Sequence, residues 1–353
     1  MKKPLLSVMA ILSFITLRAT AQTSDGVSQL LRTAPGDATK LFSAYANPLF
    51  KSLGTGLNNG WTNTAKTKGL LHFELRVSVS DVFTPASDKT FDINQLGLSS
   101  SVKVASGSSS IAPTFTGSKN VTPPTLDLYS NNGIRVDRFT LPARQISSIP
   151  TPQLQLTAGL PGNTDVTIRA IPKTKISDDI GSIGMFGFGL KHDIMSDIIG
   201  NTAAQIVPFN LAVLAGYTHF SYEDPLSVQP STGKAPDASS TGKTDFSTQR
   251  IQGHLNGFNA QVIISKKLMF FTPFAAVGYS TAKTNVGLLG NYPVTSGLTT
   301  YTVYTDPIRI KQNSINTVKL DAGFQLDLSV FKFYASGSLG EYKSVNAGIG
   351  LGF

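Results

Sequence analysis

The sequence predicts an all-β fold: a closed antiparallel transmembrane β-barrel of twelve to fourteen strands behind a short, partly helical N-terminal plug. Three observations carry that expectation. Long segments alternate apolar and polar residues with period two, the signature of a sheet with unlike faces. The polar faces carry Ser, Thr, Asn, Gln and Gly, and charged residues make up only 14% of the 353, against roughly 25% in ordinary soluble domains. Beyond the N-terminus, no stretch is apolar for the ~20 residues a spanning helix needs. A chain that meets lipid without such a helix has to close its backbone hydrogen bonds into a barrel.

Lys2 and Lys3 precede an apolar run over residues 4–17, and Ala19-Thr20-Ala21 offers the small-x-small pattern of a cleavage site. Residues 1–21 are therefore expected to be a cleaved export signal, directing the protein to the outer membrane of a Gram-negative bacterium. Residues 22–60 form the expected plug, the only stretch with helical spacing. Asp37 is placed as the cap of a short helix carrying Leu41, Phe42 and Tyr45. Asn47-Pro48 reads as the cap and first position of a second helix, with Leu49, Phe50 and Leu53 extending the apolar face. Gly54, Gly56 and Gly60 are expected to stop any helix there.

The barrel is expected over residues 61–353. Leu71, Phe73, Leu75, Val77 and Val79 alternate with His72, Glu74, Arg76, Ser78 and Ser80. The pattern returns over residues 318–328, 331–339 and 345–353, and further candidates lie at 149–160, 164–172, 180–192, 209–222, 247–265 and 268–284. Short links such as Pro161-Gly162-Asn163 and Lys266-Lys267 alternate with long ones at 223–246 and 285–316. Short turns on one rim and long loops on the other describe an outer-membrane barrel, whose strand number is even. The Ser/Thr/Pro/Asn-rich stretch 83–148 is expected to add strands near 91–98 and 134–141.

Glu74 and Arg76 on the first strand, with Lys319, Asp321 and Asp327 on the third from last, all point to the polar face. Closure brings the ends of the sheet together, so a charge network inside the lumen is expected, either filling it or holding the plug. Zero Cys excludes a disulfide scaffold, an iron–sulfur cluster, thiolate zinc and a cysteine nucleophile. His72, His192, His219 and His254 have no ligand spacing, and Gly242-Lys243-Thr244 lacks the earlier glycine of a phosphate loop. Ser231 and Ser240 precede a lysine by three only within a Ser/Gly/Thr-rich loop, without the companion motifs of penicillin-recognising enzymes. No catalytic residue, metal site or cofactor is expected. The formal charge of +9 forms no basic stripe with interleaved aromatics, so no nucleic-acid partner is expected either.

Ala46-Asn47-Pro48-Leu49-Phe50-Lys51-Ser52-Leu53-Gly54, taken with Gly159-Leu160-Pro161-Gly162-Asn163-Thr164-Asp165-Val166-Thr167-Ile168-Arg169, resembles an uncharacterised Bacteroidetes-type family of exported outer-membrane barrels over most of the mature chain. A helical N-terminus carrying Asn-Pro ahead of a barrel is also similar, more distantly, to the fatty-acid transport barrels, whose N-terminal hatch plugs the lumen. Where that family has Asn-Pro-Ala, this chain has Asn47-Pro48-Leu49. The resemblance implies a hatch in which Leu41, Phe42, Tyr45, Asn47, Pro48 and Phe50 face the barrel wall, with passive uptake or binding of a hydrophobic small molecule. The last strand, ending in Phe353, resembles the sorting signal that such barrels present to the barrel-assembly machinery. Outer-membrane lipid and that machinery are thus the expected partners. The alternative expectation is a structural or surface-interaction barrel acting through its long loops.

Overall fold

The computed structural model describes residues 29–177, 181–200, 202 and 206–353, so the expected export signal lies outside the described residues. Ten strands close a single antiparallel barrel. They are β1 (Phe73–Phe83), β2 (Ser148–Leu160), β3 (Thr164–Ser177), β4 (Gly181–Asp193) and β5 (Asn210–Pro225). The second half comprises β6 (Arg250–Ser265), β7 (Phe271–Leu289), β8 (Ile308–Leu328), β9 (Phe331–Leu339) and β10 (Lys343–Gly352). Each strand pairs with its neighbour in sequence, and β10 closes on β1 from Glu74↔Gly352 to Phe83↔Lys343.

The expected twelve to fourteen strands are thus corrected to ten. The segments near 91–98 and 134–141 do not enter the wall. Thr90–Asp92 pairs with Ile111–Pro113, and Arg135–Thr140 joins a small sheet with Thr125–Tyr129 and Val102–Val104. Strands this short cannot cross hydrocarbon, which takes ~9–11 tilted residues. Their apolar residues Leu126, Leu128 and Phe139 are buried in a core at the loop rim instead. The expected loop over 285–316 also shrinks, because β7 reaches Leu289 and β8 begins at Ile308. Residues 84–147, 226–249 and 290–307 fold together as a cap over that rim.

Inside the barrel stands one helix, α1 (Pro35–Leu57), in place of the two capped pieces expected. Its N-cap is Ala34. Asp37 lies in the first turn and accepts hydrogen bonds from Ser99 N at 2.9 Å and Ser99 Oγ at 2.5 Å, which tie the helix to the cap. Pro48 sits in the interior, where it removes a backbone donor at a cost of about 3 kcal/mol. Packing on all sides offsets this. The glycines expected to stop the helix are its contact points: a Cβ on Gly54 would lie 2.6 Å from Ala282 Cβ, and one on Gly56 would overlap Thr151. Gly56→Val is therefore expected to lower the temperature at which the folded band is lost on a detergent gel, by overpacking worth about 1–3 kcal/mol. Gly36→Val, with open space around Gly36, should leave it unchanged.

The outer surface is apolar where a soluble protein would be wetted. Phe186 is 57% exposed, Val318 61% and Leu320 53%, and Phe188, Val213 and Val277 lie beside them in the same belt. An apolar surface running round a closed barrel is what a wall that meets lipid requires. Its upper edge is marked by Tyr217, whose Oη donates to Asn256 Oδ1 at 2.8 Å, and by Tyr279 bonded to Asn316.

The wall has one seam. The ladder between β2 and β3 runs only from Leu160↔Thr164 to Gln155↔Arg169, leaving 148–154 and 170–177 without rungs to each other. Pro150 and Pro152 explain why. Both face β1 in an unbroken ladder, opposite Asp81 and Val79. A proline nitrogen cannot donate, so both must turn theirs toward β3. On the other side, β3 carries register shifts between Ile171 and Thr174 and between Lys175 and Ser177, which bend it along β4.

Candidate functional site

Between α1 and the wall lies a cavity of about 430 Å³. Phe42, Tyr45, Leu49 and Phe50 line it from the helix, and Met185, Phe220 and Leu255 from the wall. It also reaches the seam. Ile149 and Thr151 on the inner parity of β2 line it together with Pro150 and Pro152 on the outer parity, and Ile171 borders it from β3. A strand edge can present both faces to one cavity only where its ladder is absent. Outward along the seam, β1 carries Val77, Val79, Asp81 and Phe83 and β4 carries Phe186, so the lower half of the opening faces the apolar belt and the upper half the loop rim.

Below the cavity the lumen is closed. After α1, residues 58–68 descend as an irregular segment with no ladder of their own, and buried backbone groups need partners. The wall supplies them through side chains. Arg169, fully buried, donates from Nη1 to Leu57 O at 2.7 Å and from Nη2 to Asn59 O at 2.8 Å. Gln153 Nε2 donates to Gly56 O at 3.0 Å and Gln155 Nε2 to Gly60 O at 2.8 Å. Lys191 Nζ reaches Lys66 O at 2.8 Å, and Asp165 Oδ1 accepts from Lys68 N at 2.8 Å. Trp61 fills the remaining space: its ring lies 4.0 Å from the Arg169 guanidinium carbon, and a Cβ on Gly189 would come within 2.7 Å of it. The glycines of β4 and β5 thus make room for the indole.

The five lumen charges expected from the sequence fall into two groups. Glu74 and Arg76 pair at 3.0 Å, and Lys332 reaches Glu74 at 2.9 Å. Lys68 bonds to Glu74 as well, and Tyr334 Oη donates to Glu74 Oε1 at 2.7 Å. Asp327 meets this group only through Lys332, at 4.0 Å. Lys319 and Asp321 pair separately at 3.1 Å, and Lys319 Nζ donates to Asn58 O at 3.2 Å. Glycine at 350 and 352 of β10 leaves room for the side chains of β9 to reach across to β1.

Of the expected hatch residues, Phe42, Tyr45 and Phe50 line the cavity. Leu41 is buried in the core shared with the cap, Asn47 Oδ1 accepts from Gln312 Nε2 at 2.9 Å, and Pro48 is buried within α1. Phe353 is exposed, stacks on Phe73 at 6.0 Å and exchanges two backbone hydrogen bonds with it. Sequence reasoning missed Arg169, Gln153, Gln155, Lys191, Asp165 and Lys68. The signal available for the first five was their place on the inward parity of their strands.

A second polar latch ties the helix to the cap and to the β9–β10 turn. Lys51 pairs with Asp88 at 3.1 Å and with Glu341 at 2.9 Å, and Tyr342 Oη donates to Asp88 Oδ2 at 2.6 Å. Burial alone would raise the Asp88 carboxyl, but the bonds from Tyr342 and Lys51 outweigh it and hold the group below the ordinary carboxylate range. Among the described residues no group of three or more His, Asp or Glu is placed to hold a metal ion.

Residues 1–353 match the model of a family described as of unknown function (DUF6588). A search of curated proteins finds no match. Among solved structures, the outer membrane protease OmpT from Escherichia coli aligns at 8% identity and a TM-score of 0.33, over 84% of this chain and 100% of that one. Ail, the attachment invasion locus protein of Yersinia pestis, aligns at 8% identity and 0.27, over 81% and 100%. The P. putida toluene transporter TodX aligns at 10% identity and 0.22, over 88% and 70%. At these scores none of the three bears on what this chain does.

Proposed function

The chain belongs to DUF6588, a family of unknown function, and from its geometry we propose that it is an outer-membrane barrel that binds an apolar small molecule in its lumen and exchanges it with the bilayer through the β2–β3 seam. The observation that carries this reading is the cavity of about 430 Å³ between α1 and the wall, apolar and bordered by the unpaired strand edge. Its size suits a single small ligand. The cap covers the loop rim and the polar plug closes the other end, so the seam is the path of least resistance. In this reading residues 22–60 are a hatch that remains in place, residues 1–21 are its export signal, and Phe353 presents the strand end to the assembly machinery.

Filling the cavity tests it. An apolar fluorescent probe titrated into the protein in uncharged detergent should bind saturably, one per chain. Leu49→Trp and Met185→Trp, each adding bulk where the cavity lies, should abolish saturable binding while the folded band on the gel persists. Undiminished binding in both variants would refute the assignment. An additional expected result concerns the latch: Lys51→Met should loosen α1 from the cap and speed probe exchange without changing the number bound.

A further inference from the structure

The outer wall carries a second feature that neither the cavity nor the hatch explains. Just above the aromatic edge of the belt, Lys283 on β7 and Arg309 and Lys311 on β8 point outward and are exposed. The rungs are Lys283↔Asn313, Asn285↔Lys311 and Gly287↔Arg309. Successive same-face residues on one strand stand ~6.8 Å apart and diagonal neighbours ~7–8 Å. Three cations therefore sit within one small patch. None of them pairs with a carboxylate among the described residues, and no Asp or Glu occupies the outward positions of β6, β7 or β8 in this region. Glu223, on the neighbouring strand, is already taken by Lys173 at 2.7 Å and Arg250 at 3.9 Å.

Such a cluster is self-repelling unless an anion neutralises it. Directly below lie Tyr279, Val277, Val318 and Leu320, exposed and apolar. The combination of cations above and hydrocarbon-facing side chains below fits one partner. We propose that the outer face of β7 and β8 binds a phosphate-bearing lipid of the outer leaflet, its acyl chains on the belt and its phosphate between Lys283, Arg309 and Lys311. Asn285 and Asn313, exposed between the cations, supply amide donors to the same headgroup. Neither a free phosphate nor a soluble protein would use the apolar half of this surface. The proposal rests on the lipid-facing belt alone and stands whether or not the cavity holds a ligand.

The test uses the full chain in uncharged detergent, with a diphosphorylated glycolipid, the same lipid without phosphates, and inorganic phosphate as probes. The phosphorylated lipid should raise the temperature at which the folded gel band is lost, and the other two should not. Lys283→Gln/Arg309→Gln/Lys311→Gln should weaken the lipid by about 100-fold, from about tenfold or less per charge. Lys89→Gln/Lys103→Gln/Lys119→Gln in the cap should not. If the first triple variant fails to fold, Lys311→Gln and Lys283→Gln singly should each weaken the lipid severalfold. An equal shift with inorganic phosphate or the dephosphorylated lipid, or full affinity in the folded variants, would overturn the proposal.

Discussion

Arg169→Leu is expected to release the lower half of the hatch. The guanidinium holds Leu57 O and Asn59 O, accepts the Trp61 ring on its face and bonds to Gln155 Oε1 at 3.0 Å. Leucine leaves Asn59 O and Gln155 Oε1 without their donors, each worth about 1–3 kcal/mol, leaves Leu57 O only the bond from Thr218 Oγ1 at 3.3 Å, and removes the cation over the indole, about another 1 kcal/mol. A loss of about 3–7 kcal/mol is large against the net stability of a folded chain. Trp61 is the only tryptophan, so its emission reports directly. A red shift, easier quenching by acrylamide and a clearly lower unfolding temperature are the expected outcome. Arg169→Lys should rescue little, because an ammonium cannot span both carbonyls as the planar fork does. Unchanged Trp61 emission in Arg169→Leu would show that the plug holds without this residue.

The second large effect is expected at the seam. Pro150→Thr/Pro152→Thr restores two backbone donors on the edge that faces β3. Two or three new rungs at about 1 kcal/mol each would zip part of the gap. Exchange of a bound apolar probe with lipid vesicles should then slow by about 30-fold, while the amount bound at equilibrium changes little, because on- and off-rates fall together. The reverse control is Leu156→Pro, which removes the donor at the Leu156↔Ile168 rung, extends the unpaired edge and should speed exchange. If the double threonine variant exchanges as fast as the parent, the ligand leaves by another route.

The legible parts were those set by local pattern. Alternation in segments such as 71–80 and 331–339 marks the barrel strands, because a wall with lipid outside and polar side chains inside demands it at every residue. The same pattern misled at 91–98 and 134–141. There, short apolar runs bury themselves in a cap, and pattern does not tell a lipid face from a small core. The helix was half legible. Leu41, Phe42, Tyr45 and Phe50 show the right spacing, but Pro48, Gly54 and Gly56 read as breaks, since only contact with Ala282, Ile315 and Thr151 shows why α1 continues through them. In the lumen, Glu74 with Arg76 could be found from one strand, whereas the partnership of Arg169 with Leu57 and Asn59 spans more than a hundred residues of sequence. The seam had a local sign after all, in two prolines of equal parity inside an otherwise regular strand.

The most direct test of the whole account is photolabelling from the membrane. An alkyl-chain solute carrying a photoreactive group is dissolved in vesicles containing the protein, irradiated, and the labelled residues are mapped by mass spectrometry. The account predicts labels on Ile149, Pro152 and Ile171 at the seam and on Phe42, Leu49 and Phe50 within, with the internal labels lost in Pro150→Thr/Pro152→Thr at short times. Labels confined to the outer belt, with none on α1 at any exposure, would contradict it.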